Sequence, residues 1–241
     1  MISRLITVDG TFNFRDLGGH RAGGSRTRSG VLYRSDALAA LSKQGREQLG
    51  DLGVTRVIDL RDDTERGARP DALPRTAALI PHPIFPSAAA HVSLKIDIYQ
   101  LTDLIYQQHA DTLAAAVALL AAPKSTGATV FHCAAGKDRT GAVAALALLA
   151  VGVDRDDVMS DYAESEGHLR GAWLDAHLEA LRSNGVPLTP EVEQIIGQSP
   201  IAAIERALTA VEQQHGSARD YLRRNGVTDA QVEALHARLV G

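Results

Sequence analysis

The chain of 241 residues contains a single cysteine, Cys133, so no disulfide can form within it. Aromatic residues make up only 4% of the sequence, and a core must therefore be filled mainly by aliphatic side chains. The most apolar run, from Gly141 to Val153, is well short of the ~20 residues that a membrane span needs, and is typical of a buried helix. The start of the sequence lacks the pattern of a cleaved secretion signal. We expect a cytoplasmic protein, although the sequence leaves open secretion without a cleaved signal peptide.

Acidic residues slightly outnumber basic ones, 29 to 25. The formal net charge is -4 at neutral pH, so the protein as a whole does not attract nucleic acid or an anionic membrane surface. An anionic substrate would have to be bound by a local arrangement of groups. We expect no nucleic-acid partner and no integral membrane segment, and the sequence leaves the oligomeric state open.

Length and patterning are those of one globular domain. Hydrophobic residues make up 45% of the chain, which is enough for one sizeable core. No internal repeat, low-complexity tract or change of composition marks a linker. We therefore expect a single domain over residues 1–241, with a helical layer from about residue 155 as part of it.

The first half of the chain alternates between strand and helix patterns. VLYR and TRVIDLR, within residues 31–61, flank a helix that Ser42 would cap and Gly53 would end. TAALIP at 76–81 and TVFHC at 129–133 give two further strands. Strands separated by helices, with unbroken apolar runs, are typical of parallel sheets covered on both faces. The prediction is an α/β fold with a central, mainly parallel β-sheet flanked by helices.

The C-terminal half has the pattern of successive helices. The candidate helix starts are Asp154, Thr189 with Pro190, Ser199 with Pro200, and Thr228 with Gln231 as a capping box. Residues 168–183 read as one helix. Two segments are less regular: the proline-rich HPIFPSAAA at 82–90 predicts a loop, and 91–110, with poor helical periodicity, could cover a pocket as a lid.

The lone cysteine lies in the string HCAAGKDRTG, residues 132–141, between a strand and an apolar helix. A turn of this kind points backbone N–H groups inward above a helix N-terminus, which makes a cradle for an anion. Arg139 lies six positions after Cys133, and its planar fork can bind two phosphate oxygens. The same groups favour the thiolate, which is the nucleophilic form of cysteine. Attack on phosphorus would give a cysteinyl-phosphate that water hydrolyses, without a metal or cofactor.

This string resembles the signature of the cysteine-based protein tyrosine and dual-specificity phosphatases. It is most similar to the bacterial group of the mycobacterial secreted tyrosine phosphatase B. FNFRDLGG at 12–19, VLYRSDAL at 31–38 and LGVTRVIDLRDDTE at 52–65 fall in the order and spacing of that group. The resemblance thus covers most of the chain and implies a phosphatase-like fold.

The resemblance also implies roles for the residues of the loop. Cys133 would be the nucleophile and Arg139 the phosphate clamp. Substrate binding would fall to Ala134, Ala135, Gly136, Lys137 and Thr140. His132 would orient the loop, and Thr140 would donate a hydrogen bond to the cysteine.

The leaving-group oxygen needs a proton from a general acid. The sequence departs from the family pattern at the position of this acid. Related enzymes often carry an aspartate in the loop after the third strand, but IPHPIFPS at 80–87 has none. Asp138 is therefore the leading candidate for the general acid, and His82 is a much weaker candidate. The competing interpretation is that Asp138 only pairs with a neighbouring cation and holds the loop in shape.

Other polar residues are expected to support the site. Asp59 and Arg61, with Glu65, would form a structural charge cluster at the end of a strand rather than contact substrate. Three residues near the start, Asn13, Arg15 and Asp16, would form turns that tie the N-terminal segment to the site. Trp173 would be a core or lid contact.

The function that these features predict is hydrolysis of phosphomonoesters, with phosphotyrosine in proteins as the first substrate class. A phosphoinositide phosphatase is the alternative, since Lys137 beside the cradle would suit a multiply phosphorylated headgroup. A non-catalytic phosphate-binding module is the alternative from another class; the missing loop aspartate favours it, and the intact Cys133 and Arg139 argue against it. A sulfurtransferase loop resembles this string poorly.

Overall fold

The computed structural model describes residues 4–85, 96–121 and 127–241, and their main sheet has five strands. The strands, in chain order, are β1 (Arg15–Asp16), β2 (Arg21–Ala22), β3 (Ser25–Arg26), β4 (Leu32–Ser35), β5 (Val54–Asp59), β6 (Ala78–Pro81) and β7 (Ala128–His132). The sheet order is β1-β4-β7-β5-β6, and β2 pairs separately with β3. Only β1 runs antiparallel to its neighbour in the main sheet, which confirms the predicted, mainly parallel arrangement.

Helices make up the rest of the regular structure. They are α1 (Lys43–Asp51), α2 (Asp63–Ala68), α3 (Ile98–Gln108), α4 (Ala110–Ala121), α5 (Asp138–Ala150), α6 (Arg155–Leu169), α7 (Ala172–Ser183), α8 (Pro190–Gly197), α9 (Ile201–His215), α10 (Ala218–Arg224) and α11 (Asp229–Leu239). The predicted helical C-terminal half is confirmed. None of the helices in the described ranges is long and apolar enough to cross a membrane.

Both faces of the sheet are covered, as its sequence pattern predicts. All five residues of β7 are buried. Val130 packs into one apolar cluster with Phe14 and Leu49, while Phe131 packs into the other with residues of α3 to α6 and of the later helices. The centre of β7 is therefore shielded on both sides, and its C-terminal end is the natural place for a site.

Several predicted helix ends are confirmed. The Ser42 side chain accepts a hydrogen bond from the N–H of Gly45, and Gly53 follows α1 with a φ of 69°. Thr189 caps α8, with Pro190 as its first residue. The reciprocal box of Thr228 and Gln231 begins α11.

Three other helix boundaries differ from the prediction. Asp154 precedes α6, but its side chain makes no capping hydrogen bond. Helix α9 begins at Ile201 because Pro200 stands in the capping position that Ser199 was expected to fill. The single helix predicted for 168–183 is wrong: Gly171, with a φ of 83°, separates α6 from α7.

The less regular segments fall partly outside the described residues. Residues 86–90 of the predicted loop and 91–95 of the possible lid lie there. Of the rest, Pro81 ends the edge strand β6, a position where a missing N–H is tolerated. Ile98–Gln108 forms a helix whose buried face packs into the core, so this part of the segment is not a lid.

Candidate active site

Cys133 follows the last residue of β7, and the turn that it opens runs to Asp138, the first residue of α5. Because β7 is the middle strand of five, the turn lies at the centre of the carboxyl edge of the sheet. The free thiol is buried, at 2% exposure. Gly136 has a φ of 67°, and a Cβ atom there would lie 2.2 Å from the Ser35 carbonyl oxygen, so the turn requires glycine at this position.

Four consecutive carbonyl groups of the turn accept hydrogen bonds from groups around it. The pairs are Cys133 with His132 Nδ1 at 3.1 Å, Ala134 with Ala37 N at 3.0 Å, Ala135 with Asn13 Nδ2 at 3.0 Å, and Gly136 with Arg34 Nη2 at 2.7 Å. Within the described ranges, the N–H groups of residues 134–137 donate no hydrogen bond. The carbonyls are thus held outward, and the N–H groups remain available for an anion.

Arg34 belongs to a buried ion cluster behind the turn. Asp161 of α6 accepts from Arg15 Nε at 3.0 Å through one oxygen and from Arg34 Nη1 through the other, and all three side chains are at most 2% exposed. Burial raises the pKa of Asp161, but the two guanidinium groups outweigh it and hold that pKa well below its usual value. Arg4 Nη2 lies 3.9 Å from the same carboxylate, so three guanidinium groups surround this one anion behind the turn.

Asn13 is the second support of the turn. Its Oδ1 accepts hydrogen bonds from Arg15 Nη1 and from His168 Nδ1, which orients its amide toward Ala135. Burial, with the charge of Arg15, lowers the pKa of His168 to about 4. Asn13 and Arg15 therefore tie the N-terminal segment to the site as expected, but the expected turn is wrong for Arg15 and Asp16, which form strand β1. Asp16 instead accepts from two backbone N–H groups in the neighbouring turn, those of Gly18 and Gly30.

Arg139 is held by a carboxylate. Its Nη1 and Nη2 lie 2.6 and 2.9 Å from the two carboxylate oxygens of Glu65, and Nη1 also donates to the Phe85 carbonyl at 3.3 Å. Burial lowers the pKa of Arg139, but Glu65 and the charge of Cys133 outweigh this, and the net shift is upward. Glu65 was expected to join Asp59 and Arg61; its ion pair is with Arg139 instead. Its place in the capping box of α2 was the only sequence signal.

Asp59 and Arg61 form the expected charge cluster, with a member that the sequence did not reveal. Arg61 Nη2 lies 2.7 Å from Asp59 Oδ2 and 2.7 Å from Asp71 Oδ1. Asp71 Oδ2 lies 2.9 Å from His132 Nε2. Asp59, Asp71 and His132 are close enough to share a metal ion, but Arg61 already supplies the cation between the two carboxylates.

Lys137 and Asp138 pair with each other. Lys137 Nζ lies 2.7 Å from Asp138 Oδ1 and 2.9 Å from the Gln198 carbonyl oxygen, and Lys137 is 1% exposed. The pairing is the one expected if Asp138 holds the loop in shape. In the described parts of the chain, the other carboxylate oxygen, Oδ2, has no hydrogen bond.

Three weaker expectations can be compared with the structure. The Thr140 hydroxyl is buried and has no hydrogen-bond partner in the described ranges, so the expected bond to Cys133 is not formed. His82 donates through Nε2 to the Thr112 carbonyl at 2.9 Å. Trp173 is buried in the helical layer, where its ring stacks on His177.

A buried cysteine and a clamped arginine stand at the two ends of a turn whose inward N–H groups are available to an anion, an arrangement typical of cysteine-dependent phosphatases. Residues 6–241 match the model of the tyrosine phosphatase family, so the chain belongs to that family and is a phosphoric monoester hydrolase.

Two proteins named as phosphatases are similar in sequence over most of the chain. It is 31% identical over 230 residues to a protein of Cupriavidus necator named as a tyrosine-protein phosphatase, covering 90% of this chain and 82% of that one. It is 29% identical over 281 residues to the triple specificity protein phosphatase PtpB of Mycobacterium tuberculosis, covering 97% and 98%. The crystal structure of TpbA from P. aeruginosa matches with 20% identity and a TM-score of 0.35, over 66% of this chain and 90% of that chain.

Proposed function

We propose that the protein hydrolyses phosphotyrosine in proteins through a cysteinyl-phosphate on Cys133. The observation that carries the proposal is the clamp on the turn: Glu65 binds both terminal nitrogens of Arg139, six positions after Cys133, and so orients its guanidinium. The bound phosphate would accept hydrogen bonds from the N–H groups of the turn and from the free edge of the Arg139 fork.

The reaction takes two displacements. The sulfur attacks phosphorus, the bond from phosphorus to the tyrosine oxygen breaks, and that oxygen takes a proton from the general acid. Water then attacks the cysteinyl-phosphate and gives its proton back to the same group, which releases phosphate and restores the thiolate. Negative charge on the phosphate oxygens is stabilised in both steps by the turn, by the N-terminus of α5 and by the cations behind it.

Asp138 is the proposed general acid. It is the first residue of α5, one position before Arg139, so its carboxyl group lies beside the phosphate-binding turn. The free Oδ2 could carry the proton, while Lys137 holds Oδ1 in place.

Phosphotyrosine is proposed in preference to a phosphoinositide because of the state of Lys137. Its ammonium group is buried and bonded to Asp138 and to the Gln198 carbonyl, so it does not project toward a second phosphate. More than one class of phosphomonoester remains a candidate substrate, since the name of the relative PtpB states a triple specificity. A reducing compartment such as the cytoplasm suits a mechanism that depends on a single free thiol.

The test is release of inorganic phosphate from four substrates: p-nitrophenyl phosphate, a phosphotyrosine peptide, a matched phosphoserine peptide and vesicles that contain phosphorylated inositol lipids. We expect the phosphotyrosine peptide to have the highest kcat/KM. Faster turnover of the lipids would favour the phosphoinositide alternative. Binding of phosphate without turnover of any substrate would favour a non-catalytic phosphate-binding module.

A further inference from the structure

The two ring nitrogens of His132 both face hydrogen-bond acceptors. Nδ1 lies 3.1 Å from the Cys133 carbonyl oxygen, and Nε2 lies 2.9 Å from Asp71 Oδ2. A carbonyl oxygen and a carboxylate can only accept, so each nitrogen must carry a hydrogen, and the ring is then an imidazolium cation. The ring is fully buried, so no water can take the place of either partner.

A protonated Asp71 that donates to a neutral ring is the other way to satisfy this geometry. Asp71 Oδ1 also accepts from Arg61 Nη2, and the charge of that guanidinium favours the ionised carboxylate. Burial raises the pKa of Asp71, but His132 and Arg61 outweigh it and lower that pKa. The proton therefore belongs on His132.

Among the four groups Asp59, Asp71, Arg61 and His132, charge is balanced only when the ring is an imidazolium. The charged groups that face the ring are Asp71, Asp59 and Arg61, and Asp59 Oδ1 lies 3.9 Å from His132 Nε2. The Cys133 sulfur is on the residue that follows His132. Two carboxylates, one guanidinium and one imidazolium sum to zero. Without the charge of Asp71, a buried imidazolium would lose its hydrogen-bonded counterion, and burial would then favour the neutral ring.

We propose that Asp71 is a positioning residue for the phosphatase reaction, which keeps His132 doubly protonated and thereby holds the Cys133 carbonyl outward and a positive charge beside the sulfur. This inference rests on the proposed function, in which Cys133 is the nucleophile. Asp71 lies between α2 and β6, outside every segment that carries the family resemblance. Its side chain lies beside Asp59, Arg61 and His132, and it reaches the turn through His132.

The test uses Asp71→Asn, which keeps the shape of the side chain and removes its charge; Arg61 keeps Asp59 as a partner. The readout is the rate at which iodoacetamide alkylates Cys133 as a function of pH, which does not require turnover. We expect the midpoint to move to higher pH and the rate at about pH 6 to fall about tenfold, because less of the cysteine is thiolate. The acid limb of kcat/KM for the phosphotyrosine peptide should move by the same amount, and Asp71→Glu should restore most of both.

Asp63→Asn is the matched control, because the Asp63 side chain is 88% exposed and its ion pair in the described residues is with Arg66. It should alkylate as the wild type does. An unchanged alkylation profile in folded Asp71→Asn would overturn the proposal. If that variant does not fold, nitrogen-15 NMR of histidine in the wild type decides: two protonated ring nitrogens in His132 at neutral pH support the proposal, and one overturns it. A wild type that releases no phosphate, with a shifted alkylation profile in Asp71→Asn, would instead overturn the proposed function.

Discussion

Glu65 binds the guanidinium of Arg139 through both carboxylate oxygens, at 2.6 and 2.9 Å. The same glutamate accepts from the Asp62 N–H and completes the capping box of α2. A short helix on one side of the site therefore fixes the orientation of the arginine fork on the other. A fork held in this way is organised before substrate binds, which is the condition for strong stabilisation of charge that develops during the reaction.

Glu65→Gln should therefore reduce turnover more than it reduces stability. The amide keeps one acceptor for Arg139 but loses the charge and the paired geometry. We expect kcat/KM for p-nitrophenyl phosphate to fall at least about tenfold, or about 1.4 kcal/mol of transition-state stabilisation. Glu47→Gln on the exposed face of α1 is the control, since Glu47 is solvent-exposed and forms an ion pair with the exposed Lys43. Equal activity of the two variants would contradict the clamp.

Asp138→Asn separates the two interpretations of that carboxylate. If Asp138 donates the proton, its loss should slow phenyl phosphate, whose leaving group is poor, far more than p-nitrophenyl phosphate, whose leaving group needs little protonation. The measurement is the ratio of kcat values for the two substrates in the variant and in the wild type. Equal losses on both substrates would assign Asp138 to the structure of the loop, through its bond to Lys137.

Asp161→Asn should destabilise the protein in a pH-dependent way. Removing the carboxylate takes away the anion that the two buried guanidinium groups share, which costs about 3 to 5 kcal/mol in comparable buried pairs, and leaves Arg15 with Glu164 at 4.0 Å. The pKa of Asp161 is lowered in the folded state, so its contribution is fully present above its unfolded pKa of about 3.9 and declines as the pH falls below that value.

Urea unfolding from neutral pH to about pH 3 measures this effect. The difference in free energy of unfolding between wild type and Asp161→Asn should be constant at neutral pH and shrink in acid. Asp156→Asn, an exposed change on the same helix, should leave the free energy of unfolding nearly unchanged. A difference that grows as the pH falls would contradict the assignment of Asp161 as the buried anion.

The structural features that could be predicted from the sequence are those with a signal in neighbouring residues. The strand before Cys133, the glycine within the turn and the apolar helix after it lie within about twenty residues of one another, and each has its own signal. The caps at Ser42 and Thr228 are equally local. Pro200 shows the limit of such signals: a proline fits the capping position as well as the first helical one, and α9 starts one residue later than expected.

The partners of the site residues could not be predicted, because they are far away along the chain. Glu65 and Arg139 are 74 positions apart, Asp71 and His132 are 61 apart, and Arg15 and Asp161 are 146 apart. Many acidic residues could have met each cation, and one sequence does not choose among them. The helix at Ile98–Gln108 was missed for another reason: a buried threonine, Thr102, interrupts its apolar face.

The most direct test of the account is to trap the covalent intermediate. Wild-type enzyme mixed with p-nitrophenyl phosphate, quenched in acid within a turnover and digested, should give a peptide with one phosphoryl group on Cys133. Cys133→Ser, treated in the same way, should show no turnover and no label, while it still binds phosphate. Hydrolysis that continues in Cys133→Ser, or wild-type turnover in which the sulfur never carries phosphate, would contradict the mechanism.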